Sequence, residues 1–533
     1  MQNTCCSLQE FSDQAVFTGP LPCFSPDGKH IALAQDYRLV VRDVETLAVV
    51  SLFSCLDQID AISWSPCGEL ILCGMYKRGT AQVFTLADSE WSSTITEALA
   101  GIVCARWCPS AEDVLLISDF QIKMSVWSLL DQSCHTLPAP KHSEAGAAFS
   151  PDGSLFAVLE RIECKDFFSV YDTASWAMIS RTPLPTIDAA DLSWSPDGAC
   201  IVCWDGAAQG PLLCVVSPEG DILATHTGFD TSNHGVNTHS VYGLGLKSVA
   251  WSPSGQLLAV GSYDQDASVL NNVTWGPLAG FTHPSVVDGP ASVVVYKEEI
   301  LPTSSKGKEN ITGGSGGGGG STTSRMNTKT RVPEKEQHSQ SQQQQRKPPV
   351  PTRKSLLQKS NASLASMINN PSTNLSDPML LPESDSISRF IIADLPTKIS
   401  LPGVRPPTDR PNPKLGIGLA TWSANGYYLA TRSDDRPNLL WIWDSSKLEL
   451  ASVVEFVAGV RAAAWAPGAG IPRLAVVCGT GKVYFWMPEG VSSVHVPVEG
   501  GMRATSVQWC RGGEALMVAS KDTLVCAYTL AVP

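Results

Sequence analysis

One pattern recurs nine times along the 533 residues and limits what the chain can fold into. An apolar strand-like run ends in an aromatic residue, a Ser-Pro-x-Gly turn or a relative of it follows, and a second small apolar run comes next. The pattern reads "CFSPDGKHIALA", "ISWSPCGELILCG", "ARWCPSAEDVLLIS", "AAFSPDGSLFAVLE", "LSWSPDGACIVCW", "VAWSPSGQLLAVG", "ATWSANGYYLAT", "AAWAPGAGIPRLAVV" and "VQWCRGGEALMVAS". From Pro26 through Pro66, Pro109, Pro151 and Pro196 the turns step by 40, 43, 42 and 45 residues, and from Ala424 through Pro467 and Arg511 by 43 and 44. A fixed period of this kind overrides the three or four separate domains that length alone suggests.

The period is that of WD-type propeller blades, so the expected fold is an all-β, WD40-type β-propeller of about nine blade units. Where the full Ser-Pro-x-Gly is present, the proline sets φ for the turn and the glycine two residues on supplies a positive φ. The aromatic before it, such as Trp64, Phe149, Trp194 or Trp251, should point into the layer between blades. A third strand often ends in aspartate, at Asp43, Asp172 and Asp444, where the expected role is to cap a tight turn. Only Trp443-Asp444 is a literal Trp-Asp end, and no Gly-His dipeptide occurs.

Six units fall in 11–300 and three in 388–533. Three blades cannot close a ring alone, so all nine should share one; the alternative is a seven-bladed ring with a partial second one. "DQAVFTG" at 13–19 has no partner in its own unit and should complete the last blade beside "TLVCAYTL" at 523–530, leaving no open edge. Between the two groups lies a low-complexity stretch over 301–387, rich in Gly, Ser, Gln and Lys, which has too little apolar content to offset backbone entropy and reads as a disordered insertion. Its removal should leave the melting temperature nearly unchanged. "ASVVVYKEEI" and "SRFIIADLPTKI" flank it and are expected to pair as a hairpin or a degenerate blade.

Charge is uneven. Residues 301–360 hold 11 Lys/Arg against 3 Asp/Glu, a net of +8 in a chain of −13, which leaves −21 for the other 473 residues. A basic tether on an acidic body suits an acidic partner, and a solvated spacer is the plainer reading. Within it Pro348, Pro351 and Arg353 have the spacing of an SH3-type ligand.

No G-x-S-x-G, P-loop or H-E-x-x-H is present, so no enzyme activity, cofactor or metal is expected. Cys200 and Cys203 form the one C-x-x-C, and an odd offset on a strand sends the two thiols to opposite faces. The 16 cysteines read as buried reduced thiols of a cytoplasmic protein. No secretory leader or apolar run long enough to span a membrane is found. Asp434-Asp435 and the histidines His234, His239 and His283 read as solvated turn residues. Aromatics follow the blade period and do not interleave with Lys/Arg, so direct nucleic-acid binding is not expected. Lys77 and Arg78 in "MYKRG", with Arg161 and Lys165 in "RIECKDF", lie in loops outside the apolar strands and are the candidate partner-binding residues.

Several segments are more specific than the generic turn: "YRLVVRDVETL", "CLDQI", "MYKRGTAQVF", "ECKDFFSVY", "GLGLKSVAWSPSGQLLAVGSYD", "LNNVTW" and "TDRPNPKLGIG". They resemble the centrosomal and spindle-pole WD-repeat family that includes the WD-repeat protein encoded antisense to the p73 gene. The resemblance runs from about residue 11 to 530 and breaks at the Gly/Gln-rich insertion. It implies a non-enzymatic scaffold at the centrosome, spindle pole or basal body. Such a scaffold pairs with a coiled-coil protein of the SSX-interacting, spindle-anchoring type, helps hold microtubule minus ends and supports cilium assembly; a minus-end-directed kinesin joins the complex in yeast. The alternative is a translation-initiation-type propeller that contacts ribosome and RNA, against which the acidic body argues.

Overall fold

The computed structural model describes residues 8–97, 101–206, 209–227, 244–288, 292–301, 387–399, 414–468 and 470–529. The chain divides into one unit of Met1–Pro302 with Ser384–Pro533 and a second of Thr303–Glu383. The second unit lies outside the described residues, as do the low-complexity stretch over 302–386 and Pro348, Pro351 and Arg353 within it. The described residues are strands joined by turns, with two short 3-10 turns as their only helical elements.

Among the described residues the first unit is built from nine blade sheets, antiparallel except for one parallel pair in blade 7, and a two-stranded sheet of Val286–Val287 with Thr397–Lys398. Blades 1 to 6 take residues 23–54, 61–96, 104–137, 147–183, 189–227 and 246–281, and blades 7 to 9 start at 417, 462 and 506. Among the described residues nine apolar clusters form, each joining one blade to the next in chain order, and the ninth joins blade 9 to blade 1. Nine blades with nine junctions make one closed ring. The middle strands are buried along most of their length, and Ile201–Asp205 along all of it, because a blade packs on each side. The fourth strands, such as Met178–Pro183, face solvent.

A tryptophan relay explains why the aromatic precedes each turn. The Trp64 indole donates to the Cys23 carbonyl in the preceding blade at 3.2 Å, Trp107 to Ser63 at 3.1 Å, and Trp194 to Ala148 at 3.0 Å. Across the second group Trp422 donates to Ala250 at 3.0 Å, Trp465 to Thr421 at 3.1 Å and Trp509 to Ala464 at 3.0 Å. Each acceptor is the residue just before the preceding blade's aromatic, so one side chain sets the stagger between blades. Trp251 departs from this. It is half-buried rather than buried, stands edge-on to Trp275 at 6.0 Å, and its indole N–H has no acceptor.

The turns stack in the same order. Each buried serine holds its turn, as Ser195 does by accepting the Cys200 amide at 3.0 Å. Gly153 has φ +78°, and a Cβ there would lie 2.5 Å from Pro109 Cβ of the preceding blade, so the position demands glycine twice over. The capping aspartates behave as the sequence suggests. Asp43 accepts the Thr46 amide and hydroxyl at 2.9 and 2.8 Å, Asp172 those of Ser175 at 3.0 and 2.5 Å, and Asp444 those of Ser446 at 2.9 and 2.6 Å.

The N-terminal segment closes the ring. Ala15 and Val16 pair with Leu524 and Thr523, inside the stretch expected from sequence. The closure also reaches further back, because Leu8–Phe11 adds to the outer edge of Thr523–Thr529. The flanking segments of the insertion do pair, Val294–Leu301 against Ile387–Ala393. They are not a blade: Val294–Leu301 joins Glu449–Glu455 in parallel, making the outer edge of blade 7 a six-stranded sheet.

Three sequence expectations are corrected here or fall outside. His234 and His239 lie outside the described residues. His283 is buried, not solvated: its ring nitrogens bond the Gln265 carbonyl at 3.0 Å and the Thr431 hydroxyl at 2.9 Å, and Trp441 and Trp443 flank it. Asp434 and Asp435 are paired. Asp434 meets Lys247 of blade 6 at 2.8 Å and Arg432 at 2.7 Å, fastening blade 6 to blade 7, and Asp435 meets Arg436 at 3.5 Å. Cys200 and Cys203 do diverge, the first into the cluster shared with blade 6 and the second into that shared with blade 4.

Burial holds the His283 imidazole neutral, with its pKa pushed down to about 4 from 6.5. The unfolded chain takes up this proton below pH 6.5 and the folded ring only near 4. Stability is therefore constant above 6.5 for this group and falls as pH drops from 6.5 to 4, by about 3 kcal/mol in all. Melting temperature measured across that window should fall, and His283→Gln should flatten the slope.

Candidate functional site

Successive strands in each blade alternate direction, so the Ser-Pro-x-Gly turns share one face of the ring and the turns between second and third strands share the other. Lys77, Arg78, Arg161 and Lys165 all lie on that second face, on blades 2 and 4. Lys77 and Arg78 belong to the 3-10 turn Tyr76–Arg78, which Gly79 ends in a left-handed conformation at φ 67°. Both are exposed. Their bonds go to neutral acceptors, Lys77 to the Gln58 side chain at 3.3 Å and Arg78 to the Leu56 carbonyl at 3.2 Å. Tyr76 holds the turn from below: its amide bonds Asp60 at 2.9 Å, and its hydroxyl accepts the Ala105 amide of blade 3 at 3.3 Å.

On blade 4 the hairpin of Leu155–Ile162 and Lys165–Asp172 is longer than its counterparts on blades 2 and 3, with a tip of Glu163 and Cys164 at φ 49° and 62°. Lys165 is exposed at this tip. Arg161 is engaged within the ring, at 3.2 Å from Asp166 and 2.9 Å from Asp188. Lys141 joins the same two carboxylates at 3.0 and 2.8 Å. Asp166 is fully buried and also accepts the Ala189 amide of blade 5 at 2.6 Å. This network welds blades 4 and 5. The hydrogen bond from Lys141 holds the Asp188 carboxyl below its ordinary value, whereas burial pushes that of Asp205 up.

Between the two basic turns sits a residue that sequence reasoning missed. Phe120, in the corresponding turn of blade 3, is 79% exposed and has φ 58° and ψ 17°. A phenylalanine in the left-handed region is uncommon, and strain of this kind clusters where a protein acts. Gln121 follows at φ 50°, and Ile122 is 61% exposed. Lys123 leads back into the ring, bound to Glu97 at 3.0 Å. Burial opposes the charge on Glu97, but hydrogen bonds from Lys123, Ser125 and Trp127 outweigh it and hold the carboxyl low. The signal in the sequence was "SDFQIK", two large apolar residues inside a polar turn.

The arrangement is one for contact, with an apolar projection flanked by cations on a rigid frame. Among the described residues no group of three His, Cys, Asp or Glu could hold a metal ion, and no helix is long and apolar enough to cross a membrane. Buried thiols such as Cys203 and Cys478 are pushed well up by burial, which keeps them protonated; Cys67, Cys134 and Cys164, in turns and on an outer strand, are exposed, against the expectation from sequence.

The family model "WD domain, G-beta repeat" matches residues 231–269. The chain is 34% identical over 512 residues to the WD repeat-containing protein WRAP73 of Mus musculus, covering 96% of this chain and 94% of that one. An uncharacterized WD repeat-containing protein of Schizosaccharomyces pombe is 26% identical over 280 residues, 49% of this chain and 55% of its own. Among solved structures, Kuenenia stuttgartiensis hydrazine synthase is similar at a TM-score of 0.34 and 14% identity, over 50% of this chain and 87% of that one, a likeness too low to carry an argument. Neither WD-repeat relative's name assigns a reaction. With its nine periodic blades and full-length similarity, this chain belongs to the WD-repeat family of which mouse WRAP73 is a member.

Proposed function

We propose that the protein is a non-enzymatic scaffold of the centrosome, spindle pole or basal body that docks a coiled-coil protein of the SSX-interacting, spindle-anchoring type. In this role it helps hold microtubule minus ends, with a minus-end-directed kinesin as a further member of the assembly, and supports spindle organisation and cilium formation. The observation that carries the docking reading is the exposed, left-handed Phe120 between turns whose Lys77, Arg78 and Lys165 have no carboxylate partner among the described residues. An exposed aromatic ringed by charge has the make-up of a binding hot spot, and the cations would steer an acidic segment toward it. The location rests on the family resemblance of the sequence segments.

Phe120→Ala combined with Lys77→Glu and Arg78→Glu should change the unfolding free energy by no more than about 1 kcal/mol, since all three side chains are exposed. The same variant should bind the coiled-coil partner at least tenfold more weakly and lose its enrichment at the pole. Unchanged affinity at physiological salt would remove the docking reading. Cosedimentation with ribosomes in place of centrosomes would remove the location.

A further inference from the structure

The hairpin at the edge of blade 7 contributes Val294 and Tyr296 to the wall of a cavity. Because Val294–Leu301 lies against Glu449–Glu455, its first turn of chain roofs a space of about 190 Å³ between blades 7 and 8. Three aromatic residues line it: Tyr296 from the hairpin, Tyr428 from blade 7 and Trp486 from blade 8. Tyr428 and Trp486 stand 5.1 Å apart at 71°, giving two nearly perpendicular walls. The Trp486 indole N–H is already satisfied by the Ser452 hydroxyl at 2.8 Å, so it has no hydrogen bond to give a ligand.

Two of the three charged residues on the wall are acidic. Asp444 and Glu449 line the cavity, and Lys447 is its one lining cation. The Lys447 ammonium lies 3.7 Å from Asp444 with its side chain 64% exposed, so it sits at the mouth and is free to move aside. The Tyr428 hydroxyl is pushed up by burial and then by Asp444 and Glu489, which reports a negative field at this wall. A neutral apolar ligand would gain nothing from that field, and an anion would be repelled. A compact cation with an apolar shell satisfies both the rings and the carboxylates.

We propose that this cavity binds an alkylated ammonium group, of the kind carried by a methylated lysine side chain or by choline. The aromatic walls take the methyl groups, Asp444 and Glu449 supply the counter-charge, and the Lys447 ammonium marks the place at the mouth that the bound cation's chain would pass. The site is on the Ser-Pro-x-Gly side of blades 7 and 8, away from the docking turns of blades 2 to 4, so it does not depend on the proposed partner.

Titration calorimetry and saturation-transfer NMR on the full chain test it, with tetramethylammonium and its neutral carbon analogue 3,3-dimethylbutanol as probes. The cation should bind roughly tenfold tighter than the neutral analogue, as expected when an ammonium is desolvated against aromatic faces. Tyr428→Ala should abolish saturable binding and Tyr428→Phe should keep it. Should Tyr428→Ala fail to fold, Glu449→Gln, a surface change, should weaken binding threefold or more. Equal affinity for the two probes, no saturable binding, or a folded Tyr428→Ala that binds as before would each overturn the proposal. A trimethyllysine peptide that binds tighter than choline identifies a modified protein as the source, and the reverse order a small molecule.

Discussion

Removing residues 1–18 is expected to open the ring and to cost more than any single substitution away from the closure. Phe17 is fully buried and sits with Ala15 in the cluster that joins blade 9 to blade 1. Its amide bonds the Asp522 carbonyl of blade 9 at 2.9 Å, while the neighbouring Thr18 amide bonds the Ala34 carbonyl of blade 1 at 2.8 Å. The segment thus grips both ends of the ring. Ser12 adds a reciprocal pair with Cys526, 2.8 Å from amide to carbonyl and 2.9 Å from amide to hydroxyl. Phe17→Ala alone should destabilise by about 3–5 kcal/mol, and the deletion by more, because it also strips the outer edge of Thr523–Thr529. Chemical denaturation of the two variants checks this. A deletion no more harmful than Phe17→Ala would mean that the closure contributes nothing beyond one side chain.

Trp422→Ala should destabilise by about 3–5 kcal/mol, and Trp251→Ala by clearly less. Trp422 is 8% exposed and donates to Ala250 across the junction of blades 6 and 7. That junction rejoins the chain after the insertion, and Gly426 rests there against Pro253. Truncation removes a large buried ring and leaves the Ala250 carbonyl without its donor, a loss of about 1–3 kcal/mol included in the total. Trp251 occupies the same place in the repeat but is only partly buried, and it gives up no hydrogen bond. Denaturation midpoints for the two variants at equal m-value decide the order, and equal losses would show that the indole relay carries no energy.

What was legible in the sequence follows from what is local. The period could be read because each turn carries its own local set of residues, serine, proline and glycine or a stand-in such as Ala111 at φ 62°. The caps at Asp43, Asp172 and Asp444 could be read because their partners lie two or three residues on. The divergence of Cys200 and Cys203 follows from strand geometry alone. The failures are of the opposite kind. His283 looked like a turn residue because its partner Thr431 is 148 residues away and on the next blade. Asp434 looked solvated because Lys247 precedes it by 187 residues. Nothing in "ASVVVYKEEI" signals parallel addition to blade 7, since a strand carries no mark of which edge it will join. Of the candidate docking residues, the exposed Lys77 and Arg78 were visible as charges in a turn. Arg161 looked the same in sequence, and only the fold brings Asp166 and Asp188 to it. Phe120 was overlooked because the repeat trains attention on the aromatics before each turn.

Hydrogen exchange on the chain alone and in complex with the coiled-coil partner tests the central claim most directly. The account predicts new protection in three turns, 76–79, 119–123 and 162–165, on one face of blades 2 to 4, with the Ser-Pro-x-Gly turns unchanged. Protection confined to the Ser-Pro-x-Gly face, or none in the turn that holds Phe120, would contradict it.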